Sequence, residues 1–364
     1  MYILALETTG PLGSVALINE YGKTLCKISE ETMSHLKDLM PMAQAILAEA
    51  EAEAESEAAA GTPQAGAQNA AGTQKAGDQN AGNTQKAGDQ NAGAKSGISP
   101  KDLSAVAASI GPGSFTGIRI GVSSARAIAQ ALNLPCISVP TLELFNPGCY
   151  QGCDPSNAGC DPSNPDCDPS NAGCSTPNFD ADLIVPIFNA RRNQVYGAIF
   201  DQEGKEILTP GPYMLGDVLN AIDTYASAKS DELAPTKCMG AGKEEAKLPY
   251  NILVKFYGDG IDAYEKKIVE HFDGTPDIAL GRPSTDTADS HPLGGNVRYD
   301  FADSSERYQK ADMVAKLALA KYKAGDTCTV NELLPDYMRM TEAEQKLRDG
   351  TLSAKRNSVV ITGK

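Results

Sequence analysis

The residues with the clearest chemical potential form one stretch, Ser109-Ile-Gly-Pro-Gly-Ser-Phe-Thr-Gly-Ile-Arg-Ile-Gly121. The apolar run Ala105–Ile110 predicts a buried strand entering the tight turn Gly111-Pro112-Gly113. Ser114 then stands where an N-cap belongs, and a helix is predicted from Phe115 to Asn133. A strand, a glycine turn and a helix N-terminus bring free amides and the helix dipole to one point, which suits an anion. Gly111, Gly113 and Ser114 are therefore candidates for a phosphate loop; a capped turn with no ligand is the alternative reading. Glu7, Thr8 and Thr9 close the first predicted strand, where they could contact a nucleotide phosphate or a metal-bound water, or serve the fold alone.

No catalytic set accompanies them. His35, His271 and His291 are far apart, and the H-x-x-x-H, H-E-x-x-H, C-x-x-C, G-x-x-x-x-G-K-[ST] and G-x-S-x-G patterns do not occur. No catalytic and no metal-binding residue is assigned. Cys153, Cys160, Cys167 and Cys174 recur every seven residues, a spacing that matches no common zinc module. Pro in every unit forbids a heptad helix, so this segment reads as a chain of surface turns.

Ordinary elements must position these groups. Strands are predicted at Ile3–Glu7, Val15–Ile18, Thr24–Ile28, Cys136–Val139, Leu183–Asn189, Gln194–Asp201 and Asn251–Tyr257. Met33, Leu36, Leu39, Met40, Ala43, Ile46, Leu47 and Ala50 recur at helical spacing through Pro41, with further helices near Ala263–His271 and Lys310–Ala324. The helix from Phe115 carries an apolar stripe, Phe115, Ile118, Val122, Ala125, Ala129 and Leu132, beside a second stripe of mostly small residues, Gly117, Gly121, Ser124, Ile128 and Ala131. The second stripe could seat a neighbouring subunit or the preceding helix. Two similar α/β halves result, the second beginning near Asp180.

Two segments depart from this pattern. Residues 51–95 contain no Val, Ile, Leu, Phe or Tyr and repeat TQKAGDQNAG at Thr73–Gly82 and Thr84–Gly93. Such a sequence cannot offset its ordering entropy and is expected to be disordered, although Glu49–Ala60 can extend the preceding helix. Residues 147–177 hold the cysteine repeat. With 32 Lys+Arg against 47 Asp+Glu, the net charge is −15, which disfavours gripping RNA directly. No stretch approaches the length of a membrane span and the N-terminal apolar run is too short for a signal peptide, so the expected address is the cytoplasm.

With those residues in view, the chain resembles the TsaB family, also called YeaZ. The resemblance rests on Ile3–Thr9 followed by Ser14–Leu17, on Leu39-Met40-Pro41-Met42, and on the signature GPGSFTGxRxG from Gly111 to Gly121. Pro140–Glu143, Asn189–Arg192 through Val195-Tyr196, Gly258-Asp259-Gly260 and Pro335–Arg339 continue it in order. Glu7 stands where Asp is more usual, residues 51–95 and 147–177 are not family features, and 282–307 reads as a third, milder insertion.

The resemblance implies an α/β, actin-like ATPase (ASKHA) fold. Its lobes would be 1–179 and 180–350, with a tail at 351–364. It also implies a non-catalytic subunit of tRNA N6-threonylcarbamoyladenosine synthesis. That subunit pairs with TsaD, activates it together with TsaE, and reaches tRNA only through the complex. ATP and metal would reside in TsaD, with no cofactor in this chain, and the isolated chain would form a homodimer. The pairing surface carried over is Leu36, Leu39, Met40, Ala43 and Leu47 with Gly117, Gly121, Ser124 and Ile128. On this basis Gly121→Arg should leave the fold standing and abolish TsaD binding. A small-molecule kinase or ATPase of the same fold, using Glu7, Thr8 and the Gly111–Ser114 turn, is the alternative. A metallopeptidase is a lesser one, opposed by the missing histidine ligands.

Overall fold

Successive residues of β1 (Tyr2–Glu7) point to opposite faces of a sheet, and different elements bury the two faces. In the computed structural model, which describes residues 1–32, 34–60, 98–150, 179–232, 252–273 and 297–338, Leu4 and Leu6 join one apolar cluster while Ile3 and Ala5 join another. The same alternation separates Val15 and Leu17 from Ala16 and Ile18 on β2 (Ser14–Asn19), and Val106 and Ala108 from Ala105 and Ala107 on β4 (Leu103–Gly111). With β3 (Thr24–Ile28) and β5 (Cys136–Pro140) they make a sheet of order β3-β2-β1-β4-β5. β1–β2 and β2–β3 are antiparallel, while β1–β4 and β4–β5 are parallel.

The second half repeats this plan. β6 (Leu183–Asn189), β7 (Gln194–Asp201), β8 (Glu206–Met214), β9 (Ile252–Tyr257) and β10 (Val297–Phe301) pair in the order β10-β9-β6-β7-β8. Antiparallel pairing within β6-β7-β8 and parallel pairing of β6-β9-β10 reproduce the orientations of the first sheet. Two sheets of the same 3-2-1-4-5 order define the actin-like fold. Among the described residues no helix is long and apolar enough to cross a membrane.

The helices complete five layers. α1 (His35–Ala60) and α2 (Phe115–Leu132) cover the outer face of the first sheet, and α3 (Leu215–Glu232) and α4 (Gly260–Asp273) cover that of the second. α5 (Ala311–Lys323) fills the central layer with Leu142, Leu144 and Phe145, between Ala5 and Ala107 of one sheet and Ile184 and Phe200 of the other. Ala311, Ala315 and Ala318 let it approach closely.

Several expectations meet the structure differently. α5 lies within the expected second lobe 180–350, yet it packs on β1 and β2 of the first sheet. The chain then returns as a strap, 327–338, that buries Leu333 in the first lobe. Residues 297–301 of the expected insertion 282–307 are core strand β10, because Val297, Tyr299 and Phe301 pack on the α4 side of the second sheet. α1 extends to Ala60, so the first ten residues of the 51–95 insert are helical. Pro147–Tyr150, the start of the 147–177 segment, forms a 3-10 turn with Tyr150 buried. Residues 61–95, the repeated cysteines 153–174 and the tail 351–364 lie outside the described residues.

Candidate functional site

The glycine signature is packed against the end of β1. Thr8 Oγ1 donates to the Gly117 carbonyl at 2.7 Å. A Cβ at Gly117 would collide with the Thr8 carbonyl, and one at Gly121 with the Thr8 hydroxyl. Gly111, at φ 117°, faces the Asp336 carbonyl of the strap at equally close range. Ser114 caps α2, accepting from Gly117 N at 3.3 Å, and its own amide donates to the Thr9 carbonyl at 2.8 Å. Two amides that an anion cradle would present are thus satisfied inside the chain.

Beneath this turn Glu7 is completely buried. Its Oε1 accepts from Thr9 N at 2.5 Å and Thr9 Oγ1 at 2.6 Å, and Gln309 Nε2 donates to Thr9 Oγ1 at 3.1 Å. Glu7 Oε2 has no well-aligned hydrogen bond, the buried Ser109 hydroxyl being its neighbouring polar group. Burial pushes the Glu7 carboxyl above its ordinary range, with Ser109 and Thr9 opposing the shift.

The phosphate-loop candidates therefore divide. Thr9, Gly113 and Ser114 line a cleft of about 610 Å³ between the lobes, whereas Glu7, Thr8 and Gly111 lie under its floor. The opposite wall carries Asn189, Arg191 and Asp259, to which the sequence reading gave no site role. Asn189 N donates to Asp259 Oδ1 at 3.0 Å, and Asn189 Oδ1 accepts from Arg191 N at 2.8 Å. Burial pushes the Asp259 carboxyl up. Arg191, Arg192 and Asn193 turn the β6–β7 hairpin through left-handed φ values of 64°, 55° and 63°. The signal for this wall was the internal repeat: Asn189 ends β6 as Thr8 and Thr9 follow β1, and Gly258 and Gly260 approach Ile187 as Gly117 approaches Thr8.

The expected pairing surface divides as well. Leu36 is 80% exposed and Met40 39% exposed, while Leu47, Ser124 and Ile128 are half-buried. Leu39 and Ala43 belong to the chain's own core with Ile46 and Ala50, and Gly117 and Gly121 are buried against Thr8. Those four side positions are not open to a partner, and Gly121→Arg would strike the fold first. The cause is helix geometry. At 3.6 residues per turn the Leu36-Met40-Leu47 stripe lies about 70° around α1 from the Leu39-Ala43-Ile46-Ala50 stripe, so adjacent apolar stripes meet different fates.

A two-lobed actin-like protein with a half-lined cleft and an exposed helical ridge is the class that fold and site define. Residues 90–154 match the family profile described as TsaD, tRNA N6-adenosine threonylcarbamoyltransferase. The chain is 30% identical over 128 residues to the tRNA threonylcarbamoyladenosine biosynthesis protein TsaB of Bacillus subtilis, covering 34% of this chain and 44% of that protein. It is 45% identical over 56 residues to TsaB of Escherichia coli, covering 15% of this chain and 24% of that one. The matches thus span less than half the length of these curated relatives. Among solved structures, YeaZ from Pseudomonas aeruginosa aligns over 92% of this chain and 99% of its own, at 17% identity and a TM-score of 0.46. The chain is similar in sequence to proteins named TsaB.

Proposed function

We propose that this chain is a non-catalytic subunit of a tRNA threonylcarbamoyladenosine synthesis complex, pairing with and activating a TsaD-type transferase together with TsaE. The reading is supported by the similarity to two proteins named TsaB, and by the TsaD-type profile over residues 90–154. The observation that carries it is the ridge on α1, where Leu36 and Met40 stand exposed beside half-buried Leu47. With Ile128 and the small Ser124 of α2 they would offer a largely apolar surface that a second pair of helices could cover, each apolar Å² buried contributing about 25 cal/mol before association entropy is subtracted. The partner would hold the ATP and the metal, and tRNA would be contacted through the complex, in keeping with the net charge of −15. Alone, the same strip would pair with a second copy of the chain.

Reconstitution tests this. TsaD and TsaE with unmodified tRNA, threonylcarbamoyl-adenylate and ATP are expected to modify tRNA only when this chain is added. Equal modification without it contradicts the reading.

A further inference from the structure

The edge of the first sheet carries a pair of thiols outside the cleft and the ridge. β5 is an edge strand, and Cys136 at its start is met by Cys328 of the strap in an isolated antiparallel bridge. The amide of each donates to the carbonyl of the other at 2.8 Å. That mutual exchange marks a directly opposed pair, with Cα atoms about 5.5 Å apart and side chains on one face. Both residues are free cysteines, and both pack against the same apolar cluster on the α2 side of the sheet. Cys136 is fully buried and Cys328 half-buried. Burial, followed by the neighbouring Cys328, pushes the Cys136 thiol up to about 11.

A disulfide spans Cα atoms about 4.4–6.8 Å apart, a window that this register meets. We propose that Cys136 and Cys328 form a reversible thiol–disulfide site whose oxidant is a small-molecule disulfide, and that its closure pins the strap 327–338 to β5. The pinned segment matters to the first lobe. It buries Leu333, donates Asp336 N to the Ile110 carbonyl at 2.8 Å, and lays Tyr337 on Phe115 with ring centroids 4.6 Å apart. Phe115 in turn lines the cleft.

The exchange balances in two steps. The Cys328 thiolate attacks a sulfur of the small disulfide, forms a mixed disulfide and releases one small thiolate. The Cys136 thiolate then attacks Cys328 Sγ, forming the protein disulfide and releasing the second small thiolate. Two protein thiols are oxidised, one small disulfide is reduced to two thiols, and the two protons lost by the cysteines are taken up by the leaving groups or by solvent. Only thiolates attack, and burial raises both thiols, so closure should quicken as pH rises. Opposed residues of this kind hold Cβ atoms about 4.5–5.5 Å apart against about 3.5–4.5 Å in a disulfide, so the strap must draw in slightly and the bond stays easy to reduce.

Incubating the full chain with oxidised glutathione at pH 7 and pH 8.5, then mapping peptides without reduction, tests the site. A Cys136–Cys328 linked peptide is expected, forming several-fold faster at the higher pH, reversed by dithiothreitol and absent from Cys328→Ser. Proteolysis within 327–338 should slow several-fold on oxidation. A folded wild-type chain that gives no such peptide, that stops at stable glutathione adducts, or that links either residue to the 153–174 cysteines instead would overturn the proposal. If Cys328→Ser unfolds, Cys328→Ala provides the same control.

Discussion

Thr8 Oγ1 donates a 2.7 Å hydrogen bond to the carbonyl of Gly117, tying the end of β1 to the first turn of α2 across 109 residues of chain. Gly117 and Gly121 present no side chain there, so the threonine sits directly on the helix backbone. The signature that reads as a phosphate cradle thus serves first to dock a helix on a strand. Adding a methyl group at such a contact costs about 1–3 kcal/mol. Gly117→Ala should cost the most, because the atom it meets is the fixed Thr8 carbonyl, and Gly121→Ala should cost less, because it meets a hydroxyl. Thermal denaturation reads both, and an unchanged Tm for Gly117→Ala would contradict the packing role.

Glu7 makes stability depend on pH with a definite sign. Its carboxyl is held by burial above its ordinary value of 4.5, so the folded state binds more protons than the unfolded state above that pH. The term therefore favours the folded state at low pH and is lost as pH climbs from 4.5 through the folded value. Glu7→Gln keeps an oxygen for the Thr9 amide and hydroxyl without the charge. Its Tm relative to wild type should rise as pH climbs above 4.5 and level off once the buried carboxyl has lost its proton. A difference that does not change with pH above 4.5 would show that Glu7 is not the group responsible.

The strap is held at its far end by stacked aromatic and cationic groups. Arg119 Nε donates to Tyr337 OH at 2.9 Å, and the Arg119 guanidinium lies 4.0 Å from the Phe115 ring centroid. Losing an aromatic pair of this kind costs about 0.5–1.5 kcal/mol beyond its buried area. Tyr337→Ala should lower Tm by a few degrees and open the strap to proteolysis, whereas Tyr337→Phe should keep most of the stacking. Equal proteolysis rates for wild type and Tyr337→Ala would contradict this anchoring.

Much of this fold is legible in the sequence alone. Thr24–Ile28, Leu183–Asn189 and Gln194–Asp201 form strands with the bounds that their alternation and flanking turns indicate. β8 escaped because Pro210, Gly211 and Pro212 break the strand pattern, which an edge strand tolerates. α3, absent from the predicted helices, carries a legible stripe in Leu215, Val218, Leu219, Ile222 and Ala226. β10 was hidden by its place beside an apparent insertion. The far wall of the cleft was signalled only by the internal repeat, and the crossing of α5 to the first lobe was not legible, since it depends on which elements of distant sequence meet. Periodicity gathered the residues of both α1 stripes into one set and could not separate the stripe that the sheet covers from the one it leaves exposed.

The two stripes of α1 therefore give the most direct test. Leu39→Asp places a charge in the core and should unfold the chain, while Leu36→Asp with Met40→Asp changes only exposed positions and should leave Tm within a few degrees of wild type. Size-exclusion chromatography with light scattering, on each protein mixed with TsaD, is the deciding measurement. A heterodimer with wild type and none with the folded Leu36→Asp, Met40→Asp variant is the result predicted. An undiminished heterodimer with that variant would contradict the ridge as the docking surface.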